Sequence, residues 1–201
     1  RWCEGISLGA AYVSDGNSHL MDFQVEDIPM GRKNSELRLP SKGKVKVSAK
    51  VAARLNEKSD PALMTRPLYQ KPYWHLERAR LTPDSRQVKV ELIRNGQPVA
   101  SKTIPADGSL LDLAFETEIT ESSWLALRIF PSSHTNPVFV LVDDQPVRAS
   151  RRSAEWCLKS VDQCWSQKKK FIDPGERQDA LEAYQHARQA YRKILAQSKT
   201  P

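Results

Sequence analysis

Three side chains near the start of the chain carry the atom types that a metal or acid–base site needs. Asp15, His19 and Asp22 lie within eight residues and would supply carboxylate oxygens and one imidazole nitrogen, which are donors that bind divalent metals. The alternative is structural: Asp15 and Gly16 form the corner of a turn, and the neighbouring polar side chains bond to the backbone. We favour the turn, because a histidine beside a turn more often has a structural role. The three residues are therefore weak metal candidates.

Other chemical motifs are missing from the sequence. The remaining histidines, His75, His134 and His186, lie far apart, so they form no motif that places two ligands side by side. There is no glycine-rich phosphate loop and no Gly-x-Ser-x-Gly nucleophile motif. The sequence predicts neither a catalytic residue nor a cofactor in this chain.

Tyr69, Tyr73 and Trp74 are candidates for binding without catalysis. Aromatic faces stack on sugars and other flat ligands. These residues lie at the end of a proline-rich stretch, residues 56–72, that has no clean periodicity and for which we expect one short helical turn. Long segments of this kind are often functional or mobile. In the alternative, which we favour, Trp74 begins a strand and buries its ring while the tyrosines cover the sheet edge.

The elements that must position these residues are mostly strands. Residues 44–51 (KVKVSAKV) and 87–93 (QVKVELI) have the period of two that is typical of a strand with one buried face. Asn95-Gly96 and a returning arm over residues 98–104 predict a β-hairpin. Further strands are predicted over residues 110–119, 124–130 and 137–142. Short strands at this spacing predict an antiparallel β-sandwich, either immunoglobulin-like or jelly-roll-like.

After residue 148 the apolar period changes to that of a helix. The first predicted helix spans residues 153–168 and the second follows the start signal Asp173-Pro174-Gly175-Glu176. Each has an apolar stripe, formed by Cys157, Val161, Cys164 and Trp165 on the first and by Ala180, Tyr184, Ala187, Tyr191 and Ile194 on the second. The predicted fold class is α+β: an antiparallel β-sandwich followed by a C-terminal antiparallel two-helix hairpin.

The net charge is +7, from 31 Lys and Arg against 24 Asp and Glu. Clustered cations supply most of the affinity for phosphates. However, the basic runs at residues 148–152 (RASRR) and 168–170 (KKK) lack the interleaved aromatics or glycines of a nucleic-acid module, so nucleic-acid binding is disfavoured. No apolar run approaches the roughly 18–20 residues that a spanning helix requires, and no membrane span is predicted.

The three cysteines form no Cys-x-x-Cys motif. Cys157 and Cys164 would lie about 10 Å apart along a helix, which is too far for a disulfide with its Cα separation of about 4.4–6.8 Å. Cys3 could pair with one of them only where the chain ends meet. We favour free thiols buried on an apolar helical face. The compartment stays open, a periplasmic or secreted location included.

The opening of the chain has the pattern of a domain boundary. Residues 8–23 (LGAAYVSDGNSHLMDF) indicate the end of a helix, then a strand and a tight Asp-Gly turn. The first residues have no features of a signal peptide. We therefore expect residues 1–8 to end a preceding element, residues 9–147 to form the sandwich, and residues 148–201 to form the hairpin, packed on or beside the sandwich.

Four segments, in this order, resemble CehA/McbA-type metallohydrolases of the polymerase-and-histidinol-phosphatase superfamily. They are residues 9–16 (GAAYVSDG), 90–96 (VELIRNG), 124–128 (WLALR) and 134–140 (HTNPVFV). The resemblance spans about residues 5–147 and implies a β-rich accessory region that follows a metal-binding barrel. It also implies that the metal ligands lie on that barrel, in His-x-His, Glu, His and Asp-x-His elements, and that no catalytic residue lies in this chain. His134 matches a family position, which we interpret as a structural one that fixes a turn.

Three functions stay open at this point. We favour a non-catalytic accessory module that packs against the preceding catalytic domain of the same polypeptide, which predicts an exposed apolar patch around Trp2, Ile6 and Leu8. The second is a carbohydrate- or ligand-binding sandwich that uses the three aromatic residues named above, with a glycan or small ligand as its partner. The third is a self-contained enzyme built on the Asp–His–Asp group.

Overall fold

The computed structural model describes residues 2–31, 35–67 and 69–198. The chain divides into two compact units, Arg1–Val147 and Arg148–Pro201. The first unit holds two β-sheets and the second holds two long helices, so the predicted α+β fold class is confirmed.

The described part of the first unit contains eleven strands and two short helices. In chain order these are α1 (Trp2–Leu8), β1 (Tyr12–Val13), β2 (Ser18–Val25), β3 (Ile28–Pro29), β4 (Glu36–Leu39), β5 (Gly43–Ala53), α2 (Pro61–Met64), β6 (Gln87–Arg94), β7 (Gln97–Pro105), β8 (Leu111–Ile119), β9 (Ser123–Ile129), β10 (Ser133–Thr135) and β11 (Val138–Val142). The predicted helical turn in the proline-rich stretch is α2, which Asp60 caps by accepting hydrogen bonds from Ala62 N and Leu63 N. A 3-10 turn follows at Leu76–Ala79.

The strands form a larger and a smaller sheet. In the larger sheet β6 pairs with β7 and β9, while β10 and β11 pair with the other side of β9 and in turn pair with β1 and β4. The smaller sheet has the order β3-β2-β5-β8. Among the described residues all strand pairs are antiparallel except β11 with β4, which is parallel, with Phe139 opposite Glu36. The local pattern could not indicate this pair, because its strands are far apart in the sequence.

Apolar side chains from both sheets form one core. In β5, Val45, Val47 and Val51 are buried at alternate positions, as the period of two predicts. Leu125 and Leu127 of β9 join the same core from the larger sheet. Full burial of each such side chain contributes about 1.5–3 kcal/mol, so this core fixes the relative position of the sheets.

The Asn-Gly hairpin forms where the sequence places it. Asn95 and Gly96 have φ angles of 51° and 89°, and Arg94 lies opposite Gln97 across the turn. Two successive residues with positive φ give the turn a twist that matches the flanking strands. The prediction of a β6–β7 hairpin is therefore confirmed.

The second unit consists of α3 (Arg151–Lys168) and α4 (Arg177–Gln197). Ser150 caps α3 by accepting a hydrogen bond from Ser153 N. Asp173 accepts one from Gly175 N at the start of a 3-10 turn, Pro174–Glu176, that leads into α4. The helices contact each other along their length, and the rings of Trp165 and Tyr184 lie 4.9 Å apart. The predicted two-helix hairpin is confirmed.

The helical hairpin has almost no interior. Within the described part of its two helices and their flanks, only Ala154 and Ser198 are buried. The prediction of buried thiols is therefore wrong: Cys3 and Cys164 are exposed and Cys157 is half-buried, although all three are free thiols as expected. The physical reason is that two helices without a third layer cannot enclose their apolar stripes. No helix among the described residues combines the length and the apolarity that crossing a bilayer requires.

Candidate interaction surfaces

Asp15 lies at the corner of a turn and its carboxylate is fully engaged by hydrogen-bond donors. Its Oδ2 accepts from Leu76 N at 2.6 Å, and its Oδ1 accepts from Ser132 Oγ at 2.8 Å and from Asn17 N at 2.9 Å. These donors belong to three separate stretches of the chain. Asp15 therefore holds the β1–β2 turn, the β9–β10 turn and the segment before β6 together, and both its oxygens are committed to that role.

His19 and Asp22 do not join Asp15 in a site. His19 Nδ1 shares a hydrogen bond with the hydroxyl of Tyr12 at 2.7 Å. Asp22 is exposed and lies at an irregularity in β2, where its φ angle is 51°. No group of three potential metal ligands comes together among the described residues. The structure thus places the Asp–His–Asp group along a turn and a strand rather than around a common point.

Tyr69, Tyr73 and Trp74 are accessible, with 84%, 42% and 38% of their surfaces exposed. The rings of Tyr73 and Trp74 lie 4.8 Å apart at an angle of 85°, so they meet edge to face and do not form a flat platform. Trp74 lies in a turn before the 3-10 turn. The interpretation in which Trp74 begins a strand is therefore wrong, because the chain turns there and continues into the 3-10 turn Leu76–Ala79.

A buried ion pair anchors the segment that carries these aromatic residues, and sequence reasoning missed it. Arg80 Nε donates to Glu77 Oε1 at 2.6 Å, with both side chains almost completely buried. Arg80 also donates to the carbonyls of Asn56 and Ser85, at 2.8 and 2.7 Å. Glu77 Oε1 accepts from Asp60 N at 2.9 Å. The spacing of Glu77 and Arg80 in an apparently polar loop gave no sign of burial.

Several large apolar side chains on the first helix and near it are exposed. Ile6, Leu8, Val13 and Phe139 are 51%, 45%, 55% and 39% exposed. Leu8 and Phe139 line one shallow depression of about 370 Å³. Val13 lies opposite His134 of β10, which is exposed and whose Nδ1 lies 3.3 Å from the carbonyl oxygen of Thr135. We call these four residues the N-terminal apolar surface.

Backbone geometry fixes α1 on the sandwich. Gly9 has a φ angle of 75° and its N–H bonds Ile6 O, while Ala10 N bonds Gly5 O, which is the Schellman pattern of a helix end. Asn136 Nδ2 donates to Gly9 O at 2.9 Å. A Cβ on Gly31 would lie 1.9 Å from Ala10 N, so only glycine permits this approach. The direction of α1 is thereby set by the sheet.

Most side chains of α1 pack against little of the first unit. Cys3, Glu4, Ile6, Ser7 and Leu8 are all exposed. The side chain of Trp2, which belongs to the predicted apolar patch, lies outside the described part of the structure. Ile6 and Leu8 are where the sequence-based hypothesis of an exposed patch expects them.

Comparisons of the chain with protein-family models and with curated proteins find no match. Functional assignment therefore depends on the geometry described above. In the first unit that geometry offers two surfaces for binding, the N-terminal apolar surface and the aromatic cluster of Tyr69, Tyr73 and Trp74. The Asp15 cluster, by contrast, has the character of a structural junction.

Proposed function

We propose that this chain is a non-catalytic accessory module of a larger protein that resembles a metal-dependent hydrolase, and that it packs against and shapes the catalytic barrel of that protein. The observation that carries the proposal is the N-terminal apolar surface. Four large apolar side chains lie exposed there, two of them on the first helix of the chain. Leu8 and Phe139 share one depression there, and exposed apolar patches on soluble proteins commonly mark interaction sites.

The exposure of the apolar side chains of α1 supports a contact with another domain. A helix of seven residues is too short to be stable through its own hydrogen bonds, and in folded proteins such helices depend on packing of one face. Here the end near Gly9 is capped while Ile6 and Leu8 face solvent. A domain that covered these two side chains would add up to about 1.5–3 kcal/mol for each of them.

The rigid attachment of α1 suits a domain that must be held in one orientation. The contact of Gly31 with Ala10 and the hydrogen bond from Asn136 to Gly9 leave little freedom at the link between α1 and β1. A barrel that packed on Ile6 and Leu8 would therefore have a defined position relative to the larger sheet. Such a position is what shaping an active-site entrance requires.

The segments that resemble the metallohydrolases support the same proposal, because they are neighbours in space. Residues 9–16 include β1, and residues 134–140 cover most of β10 and the start of β11. Residues 124–128 lie in β9, and residues 90–96 cover the end of β6 and the turn after it. In the larger sheet β1 pairs with β10, β10 with β9, and β9 with β6. The resemblance thus concentrates on the sheet that carries the N-terminal apolar surface.

The experiment compares the complete polypeptide of the gene with residues 1–201 alone. If the proposal holds, the sequence before Arg1 contains His-x-His and Asp-x-His elements. In that case, hydrogen exchange at α1, β1 and β11 is slower in the complete polypeptide than in the isolated chain. Leu8→Asp in the complete polypeptide should lower metal-dependent hydrolysis about tenfold or more by displacing the barrel.

A matched control is Leu110→Asp. Leu110 is 56% exposed and precedes β8 of the smaller sheet, so the same change of chemistry should leave hydrolysis unaltered. Equal exchange rates at α1 in both proteins, or equal loss of activity in the two variants, would contradict the proposal. Absence of a metal-binding barrel from the complete polypeptide would do so as well.

The second candidate is a ligand-binding sandwich that uses Tyr69, Tyr73 and Trp74. The observation in its favour is that all three rings are accessible while the buried Glu77–Arg80 pair anchors the adjoining backbone. A glycan array with the isolated chain tests it, and Trp74→Ala should then weaken binding about tenfold. Phe171→Ala is the control, since Phe171 is an exposed aromatic residue of the second unit. Binding that survives Trp74→Ala unchanged would remove this candidate.

A further inference from the structure

The helical hairpin contains an open apolar groove along one face. The groove has a volume of about 380 Å³ and lies between α3 and α4. Its middle is lined by the small side chains of Ser160 and Ala187, Ala183 lies toward the Tyr184 end, and Trp156 and Tyr191 lie nearer the open end of the hairpin. Trp156 is 70% exposed. Small residues between larger ones form the kind of hole that a side chain from a third helix can fill.

At the other end of the groove Cys164 and Tyr184 hold the two helices together. Cys164 Sγ lies 3.1 Å from the hydroxyl of Tyr184. This hydrogen bond raises the pKa of the Tyr184 phenol above its ordinary value. The groove therefore has polar atoms at one end and an apolar wall formed by Trp156 at the other.

The net charge of the protein is concentrated on this hairpin. Residues 148–201 contain 12 Lys and Arg against 6 Asp and Glu, whereas residues 1–147 contain 19 against 18. The second unit thus carries +6 of the total charge of +7. A surface with this excess attracts acidic partners and repels basic ones.

The cations nearest the groove have no acidic partner among the described residues. Arg152 and Lys168 are exposed and lie one turn beyond Trp156 and Cys164 in α3. A separation of sixteen residues places them about 160° apart around the helix axis, so they flank the groove on opposite sides. By contrast, Arg188 pairs with Asp162 at 2.7 Å and Arg151 pairs with Glu155 at 3.6 Å. The hairpin therefore neutralises these two cations but leaves both ends of the groove positive.

We propose that this groove binds an acidic amphipathic helix of a partner protein. The apolar side of that helix would fill the hole between Trp156, Ala187 and Cys164, and its carboxylates would meet Arg152 and Lys168. The rise of 1.5 Å per residue places those two cations about 24 Å apart along α3. A partner helix of about 16 residues with acidic side chains near both ends, on opposite flanks of its apolar side, therefore matches the groove.

A third helix is the occupant that the shape of the hairpin favours. Two helices that run side by side present a groove parallel to their axes, into which the ridge of another helix fits. A third helix would also supply the interior that this unit lacks. A second copy of the hairpin could also cover the groove, but it brings a further charge of +6. Repulsion between the two copies therefore opposes a dimer.

The test uses the whole chain and two synthetic helical peptides of about 20 residues. Both peptides carry the same Leu and Ala face, and one has Glu where the other has Lys. Fluorescence anisotropy of labelled peptide should show that the Glu peptide binds at least tenfold more tightly than the Lys peptide, and more weakly as salt is added. Trp156→Ala should weaken binding of the Glu peptide about tenfold.

Charge variants separate the groove from the general charge of the protein. Arg152→Glu with Lys168→Glu should abolish the preference for the Glu peptide. The control is Arg177→Glu with Arg192→Glu, which changes the net charge equally at α4 residues outside the groove lining, and it should keep most of the preference. All four positions are exposed, and circular dichroism verifies that the helices of each variant are intact.

Three outcomes would overturn the proposal. The first is equal binding of the two peptides or no binding of either. The second is an equal loss of preference in both double variants, which would indicate attraction by net charge alone. The third is a concentration-dependent dimer, detected by light scattering, that the Trp156→Ala substitution dissociates. The groove would then bind a second copy of the chain.

Discussion

At the scale of single residues, two carboxylates that look alike in the sequence have different environments. Asp15 accepts from a backbone N–H on each of two segments and from a serine hydroxyl. Asp22 is exposed on β2. The local sequence indicates the turn at Asp15 but not its donors from Leu76 and Ser132, because these come from distant parts of the chain. The environment of a carboxylate is therefore a property of the fold.

Substituting Asp15 with Asn should destabilise the sandwich by about 1–3 kcal/mol, because the amide group of Asn would face N–H donors that need an acceptor. Urea denaturation measures the change. Asp22→Asn is the matched control and should lie within about 0.5 kcal/mol of the parent, since Asn tolerates the positive φ at this position. Equal effects of the two substitutions would contradict the role of Asp15 as a junction.

Glu77→Gln should destabilise the protein by about 3–5 kcal/mol, because it leaves the guanidinium of Arg80 buried without a counter-charge. Glu116→Gln breaks an exposed pair with Lys44, whose atoms lie 3.0 Å apart, and should cost at most about 1 kcal/mol. Thermal and urea unfolding of the two variants give the comparison. A cost for Glu77→Gln as small as that for Glu116→Gln would show that the buried pair does not hold the segment.

At the scale of elements, the link between α1 and β1 depends on a glycine. Gly31→Ala should destabilise the first unit by about 2 kcal/mol or more, because a Cβ meets the backbone of Ala10 and the φ angle is 71°. Gly43→Ala is the control, since a Cβ there meets nothing within 4 Å. It should be neutral or stabilising by about 0.4–1 kcal/mol. Equal melting temperatures of the two variants would contradict the close approach of Gly31 to the backbone of Ala10.

The individual strands and the first hairpin could be predicted from the sequence. The strands β5 to β9 follow from alternation, and the β6–β7 hairpin follows from Asn95-Gly96, because these signals are local. The parallel pairing of β4 with β11 and the buried Glu77–Arg80 pair depend on contacts that no local period encodes. The exposure of Cys164 was missed for another reason. A helical stripe predicts which side chains share a face but does not predict that another layer will cover that face.

For the candidate surfaces, the sequence indicated which residues could take part but not how their side chains are arranged in space. The first residues of the chain indicated an apolar patch around Ile6 and Leu8. Its extension to Phe139 required the fold, which brings β11 beside the end of α1. Likewise the aromatic cluster was visible in the sequence, whereas the edge-to-face arrangement of Tyr73 and Trp74 was not.

At the scale of the whole molecule, stability and charge belong to different units. The residues of the hydrophobic core all lie between Leu20 and Val142, while the excess of positive charge lies after residue 147. A chain of residues 1–147 should therefore keep its thermal midpoint within about 4 °C of the full chain and should lose its retention on a cation exchanger. Calorimetry and chromatography measure both properties. A fall of the midpoint by more than about 10 °C would show that the core needs the helices.

Strand β7 has a consequence for the behaviour of the protein at high concentration. It pairs with β6 on one side and lies at an edge of the larger sheet, and such edges invite strands of other molecules to add and form fibrils. Pro98 and Pro105 have no N–H to offer an incoming strand, and Lys102 places an exposed charge between them. These three residues oppose the addition of another strand at this edge, so β7 is protected against aggregation through its backbone.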